Sequence, residues 1–314
     1  MGHLDRGKRK NYRDRLPTTP EERMLTVGLA HWEETAERIE APLRERDVEV
    51  KHVSITEGVT DLTGSSDLPD VDVGLFFPSR IPEGGVLTAL LDIPWVNGRE
   101  AILRSRSKAE TFARLANADI PVPDTTIVSN PADEAAVATA FDRLGAPVVL
   151  KPNSTTRGVG VLKVEDPDSL SGVTDYLDLL HEFPITRDRT FLLQEYLPEA
   201  RDVRVMVIDG EVVGAVEREL ASSARADGRW KHNVHRGATA RGIDPSEKIR
   251  DLARKAAAVM DIPLVGVDVL ETPERTVVSE TNARPTIDDA SKYDADFYDE
   301  LAALLRRTAD QPGR

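Results

Sequence analysis

The chain has 314 residues, 40% of them hydrophobic and 5% aromatic, with a formal net charge of −14. That length is enough for two or three modest domains with cores of their own, and that charge does not suit a general nucleic-acid binder. Cysteine is absent, which excludes disulfides, thiolate metal sites and a cysteine nucleophile.

Residues 1–22 mix both charge signs with proline, show no periodicity and are expected to form a disordered tail. Their basic cluster, Arg6, Lys8, Arg9 and Lys10, reads as solvated tail rather than as an RNA contact. The tail lacks the apolar stretch of a secretory signal, and no apolar run in the chain reaches the ~20 residues that span a bilayer. A cytoplasmic location and no membrane partner are therefore expected. Arginine far outnumbers lysine among the 41 basic residues. That composition resembles haloarchaeal proteins, in which salt screens the self-repulsion of an acidic surface.

From Met24 the pattern becomes periodic. MLTVGLA reads as a strand, Glu33 to Arg46 as a helix and VEVKHVSI as a short strand. VDVGLFF (71–77) is a buried-strand candidate, and PWVNG (94–98) closes the segment. Strands alternating with helices predict an open α/β domain over 23–104. A second segment, 105–189, begins with the helix SKAETFARLANA, ended by Pro121 and Pro123. Pro131 stands where a helix start tolerates it, and DEAAVATAFDRLG stops on Gly145. The strand PVVLKP, the stretch STTRGVG and the strand VLKV follow. A third segment, 190–314, opens with the strand FLLQEYL. Asp209-Gly210 makes a hairpin between VRVMVI and EVVGAV. Ala221 to Arg241 reads as a long polar loop rich in Arg and His. Pro245 opens a helix to about Met260, the strands LVGVDVLE and TVVSETN are joined by TPER, and a helix from about Asp296 to Arg307 ends the fold.

The last hairpin carries the most geometry. With TPER as the turn, Asp268 falls opposite or nearly opposite Glu280, and Asn282 shares that face two residues on. Two unpaired carboxylates side by side repel unless a cation lies between them. Oxygen ligands without His or Cys suit Mg²⁺ or Mn²⁺, completed by water and phosphate oxygens. Taken alone, the pattern equally fits a solvated hairpin face.

In VVLKPNSTTRGVG, Lys151 ends a strand, and Gly158 and Gly160 allow close backbone approach to phosphate oxygens. The Walker order is absent, and in isolation a hairpin turn with a surface lysine explains the stretch. In LLQEYLPEARDVRV, the strand end at Glu195, Tyr196 and Leu197 could offer backbone groups and apolar faces to an adenine ring, and Asp202 suits sugar hydroxyls. An amphipathic strand leaving the core reads the same way.

Together these blocks, with HNVHRGATA (232–240) and SETNARPT after GVDVLE, resemble the ATP-grasp superfamily and within it the RimK-type glutamate ligases. Order and spacing agree from Ser105 to the C-terminal helix, over about 200 residues. The resemblance implies an α/β fold of two subdomains clamping ATP, preceded by the open α/β domain. It implies that Lys108 and Lys151 contact the phosphates, that Glu195, Tyr196 and Leu197 bracket adenine and that Asp202 meets the ribose. It further places Lys231, His232 and Asn233 beside the nucleotide, two ions of Mg²⁺ or Mn²⁺ on Asp268, Glu280 and Asn282, and Arg204, Arg218 and Arg284 at the carboxylate or acyl phosphate.

The activity so implied is ATP-dependent ligation of an amine, glutamate or another amino acid, to a carboxylate on a peptide or coenzyme. A non-catalytic nucleotide-binding regulatory or assembly protein is the alternative. Nucleic acid is not expected as a partner, and the oligomeric state, a homo-oligomer included, stays open. The chain departs from better-known members in the insert SSARADGRW (222–230) and in NARPT, where Arg284 and Thr286 replace the Ser and Gly of NASPG. Both changes lie on the acceptor side.

Overall fold

The computed structural model describes residues 24–30, 33–64, 67–155, 158–181, 188–221, 223–224, 228–231 and 237–311. The N-terminal tail, His232 and Asn233 fall outside these residues. Three sheets make up the architecture.

The first sheet is parallel, in the order β2-β1-β3-β4, with β1 Leu25–Leu29, β2 Val48–His52, β3 Val73–Leu75 and β4 Trp95–Val96. Helices α1 (Glu33–Arg44) and α2 (Ile81–Leu91) connect its strands. Val73 to Leu75 are buried without alternation, as expected where a parallel strand is covered on both faces.

The expected helix over 107–118 is the second of two. Helix α3 (Arg99–Arg106) precedes α4 (Lys108–Asn117), and Ser107 separates them. Ser107 leaves the helical region at φ −83°, ψ 101°, and its Oγ accepts from Glu110 N at 3.3 Å, capping α4.

The second sheet is antiparallel, in the order β5-β8-β6-β7: β5 Thr125–Ser129, β6 Val148–Pro152, β7 Leu162–Val164 and β8 Thr190–Glu195. Helices α5 (Glu134–Leu144) and α6 (Pro167–His181) belong to this segment. Helix α5 starts at Glu134 on an Asp133 cap, so Pro131 precedes the helix rather than opening it. Strand β8 lies between β5 and β6. Sheet membership therefore changes between Glu195 and Arg201, not at 189–190, because β8 finds its ladder partners upstream.

The third sheet runs β11-β10-β9-β12-β13 and is antiparallel throughout: β9 Arg201–Ile208, β10 Glu211–Glu219, β11 Thr239–Ile243, β12 Leu264–Glu271 and β13 Thr276–Asn282. Asp209 and Gly210, at φ 47° and 85°, make the expected tight turn. The polar loop ends earlier than its composition suggested, since Thr239–Ile243 pairs along β10 as β11. Helix α7 (Glu247–Met260) packs Ile249, Ala253, Ala256 and Met260 against Val203, Val205, Val207, Val265 and Val267. Helix α8 (Phe297–Ala309) places Phe297, Leu301 and Leu305 in one core with Val27, Leu29 and Val73 of the first sheet and Met206, Ile208 and Leu264 of the third. The N-terminal domain is thus fused to the C-terminal sheet through a shared core. Among the described residues no helix is long and apolar enough to cross a membrane.

Candidate active site

The site follows from the two-residue period of the third sheet. On β9, Val203, Val205 and Val207 face α7, so Asp202, Arg204 and Met206 must face the other way. Across the ladders Arg204 opposes Asp268 on β12, and Asp268 opposes Glu280 on β13. Arg218 on β10 opposes Asp202. One face of the sheet therefore carries Asp202, Arg204, Arg218, Asp268 and Glu280 side by side.

Asp268 is 2% exposed, and its carboxylate accepts from Arg204 Nε at 2.6 Å and Nη2 at 2.8 Å. Arg218 Nη2 lies 3.0 Å from the same carboxylate and donates to Asp202 Oδ1 at 2.5 Å. Burial alone would raise the Asp268 carboxyl, but the two guanidiniums outweigh it and hold it well below the usual carboxylate range. Arg204 and Arg218 are held fully charged by the same contacts against their own desolvation. Gly266, opposite Met206 and Asn282, leaves this row its room: a Cβ there would meet Pro285 Cβ at 3.2 Å and Arg204 Cδ at 3.6 Å.

The face opens on a cavity of about 1210 Å³, lined by Lys108, Arg204, Arg218, Glu280, Asn282 and Arg284 among others. All three arginines expected at the reacting groups are together here. Lys108, buried at the start of α4, donates to Thr155 O at 2.5 Å and lies 3.2 Å from Glu280 Oε1. It thus joins the loop after β6 to β13. Lys151 Nζ donates to Gln194 Oε1 at 2.5 Å, and burial pushes it down to about 8 although Glu280 opposes that shift. Gly158 and Gly160 have φ of 66° and 73°, and a Cβ at Gly160 would meet Pro152 Cγ at 2.7 Å.

Other expected residues are placed less simply. Asp202, expected at the ribose, is paired with Arg218. Glu195 accepts from Asp124 N at 2.7 Å and from Arg275 Nη2. Tyr196 meets Trp230 edge-on at 5.7 Å, with Lys163 Nζ 5.4 Å from its ring centroid, and Leu197 follows it half-buried. Lys231 Nζ donates to Val161 O. Arg241, at the end of the polar loop, pairs with Glu217 at 3.0 Å on the side of β10 away from Arg218.

The three expected metal ligands are placed differently. Glu280 and Asn282 line the cavity, and Asn282 Nδ2 is buried without a hydrogen-bond partner among the described residues. Asp268 does not line it and is engaged by two arginines. No group of three or more His, Cys, Asp or Glu among the described residues could hold an ion by itself. The donor set fits Mg²⁺ completed by phosphate and water oxygens, not a cage of protein ligands.

Residues 105–304 match the family model for the RimK-like ATP-grasp domain. The chain belongs to the RimK-like ATP-grasp family. Its fold is shared with an ATP-grasp RimK domain protein from Sphaerobacter thermophilus, with a TM-score of 0.65 and 22% identity, covering 91% of this chain and all of that one. A probable alpha-L-glutamate ligase from Enterobacter sp. (strain 638) is 34% identical over 217 residues, 68% of either chain. A ribosomal protein bS6–L-glutamate ligase from Escherichia fergusonii is 34% identical over 200 residues, 63% of this chain and 62% of that one.

Within this RimK-like member, the sequence reading missed Gln194, Asn97, Ser105, Arg38, Lys292 and Trp230. Gln194 had a signal: a polar residue inside the apolar strand FLLQE, 2% exposed, needs a buried partner. Arg38 and Lys292 line the cavity from α1 and from the segment after β13, which no short-range pattern brings together.

Proposed function

We propose that this protein is an ATP-dependent carboxylate–amine ligase that works through an acyl phosphate, joining glutamate or another amino acid to the carboxylate of a peptide or coenzyme. One observation carries the reading: the charged row of the third sheet, Glu280, Asp268 and Arg204 with Arg218, opens on a cavity that also presents Lys108, Asn282 and Arg284. The glutamate ligases among its relatives favour an amino acid as the amine.

In this reading Lys108 and Lys151 hold ATP phosphates from the start of α4 and the end of β6. The strand end at Glu195–Leu197 receives the base. The acceptor carboxylate lies against Arg204, Arg218 and Arg284, where guanidinium forks pair with carboxyl oxygens. Its oxygen takes the γ-phosphoryl group of ATP, and ADP leaves. Arg218 and Arg204 stay charged throughout, so they offset the negative charge of the acyl phosphate without moving a proton. The amine nitrogen then attacks the carbonyl carbon, loses a proton, and phosphate departs. Glu280 and Asn282, with Asp268 behind them, would hold Mg²⁺, which would supply positive charge against the charge developing on the phosphates in transfer. No protein nucleophile is required, and positioning carries the catalysis.

The test is ADP release over an array of carboxylates and amines. A ligase releases ADP over many turnovers only when an acceptor and an amine are both present, and mass spectrometry finds the amide. ATP binding without turnover across the array, in the presence of Mg²⁺, supports the regulatory alternative and refutes the ligase.

A further inference from the structure

Strand β13 is the outer strand of the third sheet, so the backbone groups on its far side lack a ladder partner. At its end, where Asn282 and Arg284 enter the cavity, two side chains from the N-terminal half fill that gap. Ser105, on α3, donates its hydroxyl to Thr281 O at 2.7 Å and accepts from Ala283 N at 2.9 Å. One hydroxyl thus serves the two groups that a neighbouring strand would have served. Asn97, just after β4 and fully buried, donates Nδ2 to Ala283 O at 2.6 Å and to Leu264 O at 2.5 Å. Its Oδ1 accepts from Leu264 N at 3.1 Å. The Asn97 side chain acts as a peptide group laid across the start of β12 and the end of β13.

Both polar groups of Ala283 are therefore clamped, its N–H by Ser105 and its carbonyl by Asn97. Ala283 is the residue between Asn282 and Arg284. A change in its backbone dihedrals would swing both neighbours, and the clamp forbids it. Ser105 is 9% exposed and Asn97 0%, so water does not readily take over either contact. Asn97 also gives its own carbonyl to Phe77 N at 3.0 Å, which ties the clamp to the first sheet. A hydrogen-bonding partner behind a metal ligand commonly changes metal affinity or activity 10–100-fold when removed.

We propose that Asn97 and Ser105 are positioning residues of the site: they fix the backbone at Ala283 and thereby aim Asn282 at the metal and Arg284 at the acceptor. This rests on the ligase reading of the cavity. It gives Asn97, just after β4, and Ser105, on α3, a part in catalysis through the backbone of Ala283, and Ser105 also lines the cavity.

The test measures Mn²⁺ binding by electron paramagnetic resonance in the presence of ADP, beside the thermal midpoint, on the full chain. Ser105→Ala is expected to weaken Mn²⁺ about 10-fold. Ile249→Val, a loss of one methyl under α7 that removes neither hydrogen bond of Ala283, lowers the midpoint and leaves Mn²⁺ binding within about twofold of wild type. Asn97→Asp, which keeps the acceptor and loses both donations, weakens Mn²⁺ further if it folds, and Ser105→Ala decides the matter if it does not. Ser105→Ala binding Mn²⁺ as wild type does overturns the positioning role. Ser105→Ala and Ile249→Val weakening Mn²⁺ alike overturns it too, because the effect then follows stability. A wild type that binds no Mn²⁺ with ADP refutes the ligase reading itself and the positioning role with it.

Discussion

Replacing Asp268 by Asn tests whether the arginine–carboxylate row holds the sheet together as well as serving the chemistry. Asp268 is 2% exposed and receives guanidinium nitrogens at 2.6, 2.8 and 3.0 Å. The amide keeps one acceptor oxygen but loses the charge that compensates Arg204 and Arg218. Removing one partner of a buried ion pair costs ~3–5 kcal/mol. Arg218 retains Asp202, so the expected loss sits at the low end, about 3 kcal/mol. Glu280→Gln makes the contrast. The Glu280 side chain is 31% exposed and meets one cation, Lys108, at 3.2 Å, so its loss should cost no more than about 1 kcal/mol. Urea unfolding without nucleotide, followed by circular dichroism, reads both. Ligase turnover at saturating Mg²⁺ should fall at least ~100-fold in each variant. Adding Arg204→Met to Asp268→Asn should recover part of the lost stability, because the stranded charge goes with it. Equal unfolding midpoints for Asp268→Asn and Glu280→Gln, or strict additivity in the double variant, would refute the argument.

Lys151 gives a pH dependence. Its folded value of about 8 lies below the ordinary 10.5, so between those values the unfolded chain holds more protons and folding stability rises with pH. The charge facing ATP disappears as pH rises through about 8, so affinity for a non-hydrolysable ATP analogue should drop from pH 7 to pH 9. Lys151→Arg should flatten that drop, and an unchanged slope in the variant removes Lys151 from the nucleotide site. The net charge of −14 predicts a higher thermal midpoint in molar KCl than at 0.1 M, since screening relieves carboxylate repulsion; a flat or falling midpoint contradicts the salt-adapted reading. Gly214, at φ 143°, lies against Tyr293, where a Cβ would stand 2.8 Å from Tyr293 Cα. Gly214→Ala should therefore cost about 2 kcal/mol or more in the same unfolding assay, and a stable variant would show that the 288–293 segment is not pinned there.

What could be read from the sequence was set by how local the contact is. Asp268 and Glu280 are joined through a four-residue turn, so their pairing followed from counting outward along two strands. The partners of Asp268 could not be counted: Arg204 is 64 residues away, and its place beside β12 depends on the whole order of the third sheet. Period-2 alternation puts Asp202, Arg204 and Met206 on one face of DVRVMVI, but does not say which strand that face meets. FLLQEYL reads as a strand opening the third segment, yet β8 pairs with β5 and β6, because an antiparallel strand inserted between two others leaves no local trace. Ser107 and Glu110 carry the S-x-x-E cap, yet the separate helix before it went unseen behind the arginines of REAILRSR. Asn97 and Ser105 had no signal, since one polar residue near a strand end or in a helix is ordinarily solvated.

The cavity and the rest of the molecule have opposite electrical signs. Among the described residues, seven cationic side chains and two carboxylates line the cavity, in a chain whose formal charge is −14. An anion approaching from afar meets a repelling body, and only near the mouth does the attraction of the arginines prevail. Salt shortens the reach of fields to about 10 Å at 0.1 M and about 3 Å at 1 M, so it silences the distant repulsion before the attraction at contact. For an ordinary basic binding site, added salt slows the capture of an anion. Here moderate salt clears the way to the cavity, and the speed of ATP capture should pass through a maximum as ionic strength rises.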